Sequence, residues 1–173
     1  MLEDILLSDN VVENINNNLD YLTLLIPEIK DMIGFEHKNK YHNLDVWEHT
    51  LKAISISNKD IDVRLTLLLH DIGKPHSYQE DGEFRHYKNH NVVSSNMSQI
   101  ILKRLGYDNE YIEKICYLIL MHDIMITEDD IKNNYELEYI RYQIQLADGL
   151  AHNQKNIDKR IKVLEKTKKL FKK

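Results

Sequence analysis

A histidine and an aspartate stand side by side at the end of an apolar run, Leu67-Leu68-Leu69-His70-Asp71-Ile72-Gly73-Lys74-Pro75. Burying an ionised carboxylate beside an imidazole is expensive unless something compensates for it. A divalent cation would do so, since neutral imidazole nitrogens and carboxylate oxygens both ligate first-row metals. His-Asp dipeptides are common, so the pair alone says little. Its weight comes from other polar residues on apolar helical faces. Asp148 lies four residues after Ile144 and three before Ala151, and His122 lies seven after Ile115 and three after Ile119. His49 falls inside the periodic stretch from Trp47 to Ile54. Taken singly, each histidine reads as a hydrogen-bonded core residue. An aspartate on such a face needs a partner or a metal. Several such residues in one helical chain can converge on one centre, as ligands do inside metal-binding bundles.

The elements that must position them are read from period and caps. Leu44, Trp47, Leu51 and Ile54 follow the helical period, and Asn43 or Asp45 can cap that helix, with Glu48 three residues after Asp45. A second helix is expected over Asp60–His70, ended by Gly73 and Pro75. Residues 76–89 differ: Tyr78, Phe84 and Tyr87 flank Asp81-Gly82, a hairpin turn dipeptide, so a short β-hairpin or ordered loop is expected there. Helices resume over Val92–Leu105, Asn109–His122, Thr127–Asn134, Leu137–Ala151 and Ile157–Leu170. Residues 1–34 show scattered helical spacing, and the Asn-rich stretch Asn14–Asn18 reads as a loop or frayed helix. The fold class is all-α with one short hairpin, as a single domain over residues 1–173.

Composition agrees. The 173 residues suffice for one domain with a real core, and five Gly and two Pro leave little irregular structure. A lone cysteine, Cys116, excludes an internal disulfide; it reads as core packing in a reducing compartment. The start of the chain, with Glu3 and Asp4, does not read as a signal peptide, and no apolar run approaches the ~18 residues of a membrane span. A soluble, cytoplasmic protein without membrane partners is expected. The net charge of −5 conceals a basic end: Lys155–Lys173 holds nine Lys or Arg against Asp158 and Glu165. Ile157, Ile161 and Leu164 give that segment an apolar face. It is expected to pack as a helix on the acidic body, lysines outward, and to stay out of the chemistry. A phosphate-bearing partner such as RNA is the other reading of its charge.

The order His49, His70-Asp71, Asp148 resembles that of the HD superfamily of metal-dependent phosphohydrolases. Lys74 completes a His-Asp-Ile-Gly-Lys string, His90 precedes Ser94 in the next helix, and His122-Asp123 ends a later one. Together these resemble the binuclear branch of the superfamily. The string Tyr41-His42-Asn43-Leu44-Asp45-Val46-Trp47-Glu48-His49-Thr50 looks like the HD domain attached to bacterial CCA-adding tRNA nucleotidyltransferases. The resemblance covers about residues 35–153. It implies that His49, His70, Asp71 and Asp148 hold one divalent ion, and that Asp71 bridges to a second held by His90 and His122. Lys74 would face the bound phosphate or the attacking water, and Asp123 would orient His122. His42 and His86 are candidates for the pocket rim; His37, His76 and His152 receive no role. Fe, Mn, Co, Ni and Zn all suit such ligands, with Mg a further candidate.

Two departures stand out. Asn89 occupies the position before His90 where the related domains carry Gly; Asn tolerates a left-handed backbone better than most residues. The catalytic carboxylates and glycine-rich segment of a nucleotidyltransferase are not found, so the reading is of a free-standing HD domain. The expected function is metal-dependent hydrolysis of a phosphomonoester or phosphodiester, with a nucleotide or a 2′,3′-cyclic phosphate as candidate small substrates. No Gly-x-Ser-x-Gly, P-loop or Cys-x-x-Cys supports a rival chemistry. The competing readings are a non-catalytic nucleotide- or metal-binding sensor module and an RNA-binding module that uses the basic end.

Overall fold

Side-chain caps open five of the twelve helices in the structure, a computed structural model that describes residues 1–38, 44–82, 84–152 and 157–172. Asp45 and Glu48 form a reciprocal capping box, with N–H to carboxylate distances of 2.7 and 3.1 Å, and open helix α5, Val46–Ile56. Asn43 and His42 lie outside the described residues. Asp60 caps α6, Ile61–Leu69, and Asp108 caps α9, Asn109–Met121. Thr127 and Asp130 form a second capping box for α10, Glu128–Asn133. Asn134 caps α11, which spans Tyr135–Ala151 and so begins earlier than Leu137. Among the described residues there are twelve helices and one two-stranded hairpin, an all-α fold.

The N-terminal segment forms four short helices: α1 Leu2–Leu6, α2 Val11–Asn17, α3 Leu19–Leu25 and α4 Ile29–Met32. The Asn-rich stretch is mostly helical and breaks at Asn18. Leu6, Ile15, Leu22, Ile26, Ile29 and Met32 are all buried in the main core. A buried guanidinium fastens this segment, since Arg64 donates to the carbonyls of Leu6 and Ser8.

Helix α6 runs through the centre. Every residue from Val63 to Leu69 is buried, so its burial follows no single stripe. Polar side chains at its end are therefore delivered into the interior. Gly73 and Pro75 do more than stop it. After a turn, Gly73 caps a further short helix, α7, Lys74–Ser77, with Pro75 in its first turn. Proline's fixed φ suits a helix start, where its missing N–H costs nothing.

The hairpin pairs β1 Gln79–Asp81 with β2 Phe84–His86, with Glu80 opposite Arg85, and turns through Gly82 at φ +59°. Arg85 straps it to the segment before α5. Its guanidinium donates to the Glu36 carbonyl at 2.8 Å and lies over the rings of Phe35 and Tyr78. Helix α8 begins at His90, two residues before the expected start, and runs to Arg104. Asn89 takes a left-handed backbone at φ +63° and turns the chain into it. The basic end forms α12, Ile157–Leu170, with the expected bounds. Leu164 docks it on a small second core with Ile126 and Tyr142.

Candidate metal centre

The six predicted ligands come from five helix ends or faces and meet in one buried place. His49 projects from the first turns of α5, where an apolar face carries it inward. His70 and Asp71 follow the last residue of the buried α6. His90 is the first residue of α8, His122 follows α9, and Asp148 sits near the end of α11. Ligand atoms of His49, His70 and Asp71 lie within 4.8 Å of one another, as do those of Asp71, His90 and His122. Asp71 belongs to both groups. Its Oδ2 stands 3.2 Å from His70 Nε2 and 3.8 Å from His49 Nε2, while Oδ1 stands 3.5 Å from His90 Nε2. Asp148 Oδ1 lies 2.9 Å from His49 Nε2 and 3.7 Å from His70 Nε2, closing the first group.

The histidines are oriented by the backbone. The Nδ1 atoms of His70, His90 and His122 face the carbonyls of Leu67, Tyr87 and Ile119 at 2.7, 3.0 and 2.6 Å. A carbonyl only accepts, so each Nδ1 carries a proton and each ring turns its Nε2 inward. His90 Nε2 and His122 Nε2 then face each other at 3.4 Å beside a carboxylate. Two lone pairs and an anion at that spacing need a proton or a cation between them. His70 Nε2 and Asp71 Oδ1 are buried without a hydrogen-bond partner among the described residues. This donor set fits a divalent ion of the kind mixed imidazole and carboxylate ligands hold.

The electrostatics favour positive charge at the same place. Burial opposes charge on Asp71 and Asp148, yet His70 and Lys74 beside the first, and His49 and His70 beside the second, hold both well below the usual carboxylate range. Burial likewise opposes charge on His70, but Asp71 and Asp148 outweigh it and lift the imidazole to about 10. Burial pushes His122 down, favouring a neutral ring. Asp123, against His90 Nε2 at 3.2 Å and His122 Nε2 at 3.4 Å, is held low by both once its own desolvation is overcome.

Lys74 does not point out toward an open pocket. Its ammonium is 2.7 Å from Asp71 Oδ2 and 3.3 Å from His37 Nε2. His37, for which no role is expected from the sequence, is therefore part of the centre's surroundings. Its Nδ1 faces the Leu44 carbonyl, the Tyr87 hydroxyl donates to the His37 carbonyl, and burial, then Lys74, pushes the His37 pKa down to about 3. It sits in irregular chain, where no periodic signal marks it. His152 likewise carries no expected role, yet its ring joins His49 and Asp148 in a third group of the same kind. The spacing from Asp148 to His152 is one helical turn, and that is the signal the sequence offers for it. His86 is exposed and pairs only loosely with Asp81; His76 is exposed against Asp31.

The C-terminal helix packs as expected, but one of its residues reaches the centre. Its exposed lysines do face outward, but Arg160 on α12 turns inward. Its guanidinium lies 2.9 Å from His152 Nε2 and 3.6 Å from Asp148 Oδ2. Residues on the docking face of α12 recur with the helical period, and Arg160 precedes Leu164 by one turn.

A helical bundle whose buried ends gather histidines and aspartates around a shared carboxylate defines the class: a helical domain built around a metal-type centre. The chain belongs to the HD domain family, whose profile matches residues 40–164. That family is one of metal-dependent phosphohydrolases. The chain is 29% identical over 119 residues to the A-adding tRNA nucleotidyltransferase of Deinococcus radiodurans, a match that covers 65% of this chain and 27% of that one. It is 29% identical over 116 residues to the CC-adding tRNA nucleotidyltransferase of Thermus thermophilus, covering 62% and 26%. The chain thus spans about a quarter of the length of these curated relatives. Among the described residues no helix is long and apolar enough to cross a membrane.

Proposed function

We infer that the protein is a metal-dependent phosphohydrolase acting on a small phosphomonoester or phosphodiester, a nucleotide or 2′,3′-cyclic phosphate among them. The observation that carries this reading is Asp71, whose two oxygens face two separate groups of inward-pointing imidazoles. His49, His70, Asp71 and Asp148 would hold one ion; Asp71, His90 and His122 would hold the other. Divalent ions so placed supply a nucleophile at neutral pH and draw charge from phosphate oxygens. The chain's own part is positional. Carbonyl-anchored Nδ1 atoms fix His70, His90 and His122, and α6 and α11 bury the carboxylates. On this reading Asp123, half-buried beside His90 and His122, would take a proton or orient a water. Lys74, paired with Asp71, would offset charge that develops beside that carboxylate.

A second reading has one observation behind it. The relatives named above are nucleotidyltransferases, and only a quarter of each matches this chain. On that reading the domain binds a nucleotide or metal without turnover, or assists at an RNA. Metal analysis of protein purified without chelators, followed by assay against nucleotides and cyclic phosphates, separates the two. Bound metal with phosphate release supports the hydrolase. Bound metal with tight nucleotide retention and no release supports the binding module.

A further inference from the structure

We propose that Arg160, delivered by the C-terminal helix α12, is a substrate-binding residue that grips a terminal phosphate at the metal centre and favours phosphomonoesters over diesters. This rests on the hydrolase reading above and adds to it a residue and a substrate class.

The argument begins with how the side chain is placed. Leu164 is buried against Ile126 and Tyr142, which fixes α12 along α11. Gly149 on α11 lets α12 pack close, chiefly at Leu164. A Cβ there would stand 3.1 Å from Leu164 Cδ1 and 3.5 and 3.6 Å from Arg160 Nε and Cδ. From there the Arg160 guanidinium reaches Asp148 and His152 on one side and Asp123 on the other.

The guanidinium is held there but not consumed. It donates to His152 Nε2 at 2.9 Å; that nitrogen accepts because His152 Nδ1, facing the Asp148 carbonyl, carries the ring proton. From Asp148 Oδ2 and Asp123 Oδ1 it stands 3.6 and 4.0 Å away, outside hydrogen-bond distance of both. Asp148 is turned through its other oxygen to His49 and His70, and Asp123 Oδ2 to His90 and His122. A guanidinium has five donors in a planar fork, suited to pairs of phosphate oxygens. Its side chain remains 37% exposed, so an incoming ligand can reach it.

There is also a place for that ligand. His122, Asp123, Met125, Asp148, Arg160 and Val163 line a cleft of about 120 Å³ at the edge of the centre. This far exceeds the ~10–15 Å³ that admits a single water. A diester offers two non-bridging oxygens, both of which a pair of ions would engage. A monoester offers a third, and Arg160 stands where a third oxygen needs a donor.

The test uses inorganic phosphate and two chromogenic esters with metal-loaded protein. Arg160→Met keeps the stem beside Gly149 and removes the charge; Arg160→Lys restores a point charge. By calorimetry, inorganic phosphate should bind the Met variant at least tenfold more weakly than the wild type, and the Lys variant in between. Bound metal and Tm should be unchanged. kcat/KM for p-nitrophenyl phosphate should fall tenfold or more, and that for bis(p-nitrophenyl) phosphate less than threefold. Lys162→Gln, an exposed neighbour, should change neither. Equal phosphate affinity in Arg160→Met and wild type would overturn the proposal and leave the hydrolase reading standing. Parallel loss of metal or of Tm would also overturn it, showing Arg160 to be a structural clamp. A metal-loaded wild type that neither binds phosphate nor cleaves either ester would sink the hydrolase reading and this one together.

Discussion

Gly73 and Ser94 touch with no room for a side chain between them. Ser94 Oγ accepts the Gly73 N–H at 2.9 Å, and a Cβ on residue 73 would stand 2.5 Å from the Ser94 backbone nitrogen. The turn that carries His70, Asp71 and Lys74 is thereby set against α8, whose first residue is His90. One backbone contact fixes the distance between the two groups of candidate ligands.

Gly73→Ala should therefore act on the centre as well as on stability. Forcing α8 away is an overpacking change, with an expected cost of about 1–3 kcal/mol in urea denaturation. His90 moves with α8, so metal at the His90–His122 group should be lost before metal at the His49–Asp148 group. Equal retention of both ions would show that the contact does not set the spacing.

Removing the shared carboxylate should be more drastic. Asp71→Ala leaves His49 and His70 on one side and His90 and His122 on the other with no anion between them. Bound metal should fall at both groups, and hydrolysis should drop by at least a thousandfold. His90→Ala, by contrast, should remove one ion and spare the other. Elemental analysis of the two variants beside a wild type holding two ions decides this. Full activity in Asp71→Ala would defeat the metal-hydrolase reading.

Lys74 separates structure from catalysis. Its ammonium competes with a cation for Asp71 Oδ2, 2.7 Å away. Lys74→Met should therefore leave metal content at or above the wild-type level while lowering turnover about a hundredfold to a thousandfold, as expected for loss of one charge-stabilising donor. Equal loss of metal and turnover would assign Lys74 to folding of the centre.

Much of this arrangement is legible in the chain because its signals are local. Asp45-x-x-Glu48 announces a capping box, and the apolar period places His49, His122 and Asp148 on inward faces. The Asp-Gly pair marks the hairpin, and Asn89 accepts the left-handed turn. Gly73-Pro75 is half legible, because the same residues that end one helix can begin the next. What stays hidden depends on packing between distant segments. His37 lies in irregular chain and reaches the centre through the hairpin and the Leu44 carbonyl. Arg160 looks in the sequence like one more charge on a basic helix. The docking of Leu164, one turn further on, carries it to the centre.

Asn89 gives a prediction about the backbone alone. At φ +63° its conformation is one that β-branched residues avoid. Asn89→Val should cost about 1–2 kcal/mol of stability, the order of the left-handed penalty. Asn89→Gly should be close to neutral and leave metal content intact. If Asn89→Val unfolds at the same urea concentration as the wild type, the turn into α8 is not held as described.

The basic helix should divide into two functional parts. Arg160 faces the centre, whereas Lys166, Lys168 and Lys169 are exposed near the far end of α12. Exposed charges of this kind contribute only ~0–1 kcal/mol each to stability. Changing the three lysines to Gln should leave the Tm and the hydrolysis of a small phosphate ester nearly unchanged, within about twofold, because none of them lies at the cleft beside Asp148. The same triple change should weaken binding to a long RNA if RNA is a partner. It should also flatten the dependence of that binding on salt, since neutralising fewer phosphates releases fewer counterions. Measuring both on one preparation keeps the two roles apart. A large loss on the small ester would place the whole helix in the active site; an unchanged salt slope with RNA would remove the lysines from any nucleic-acid contact.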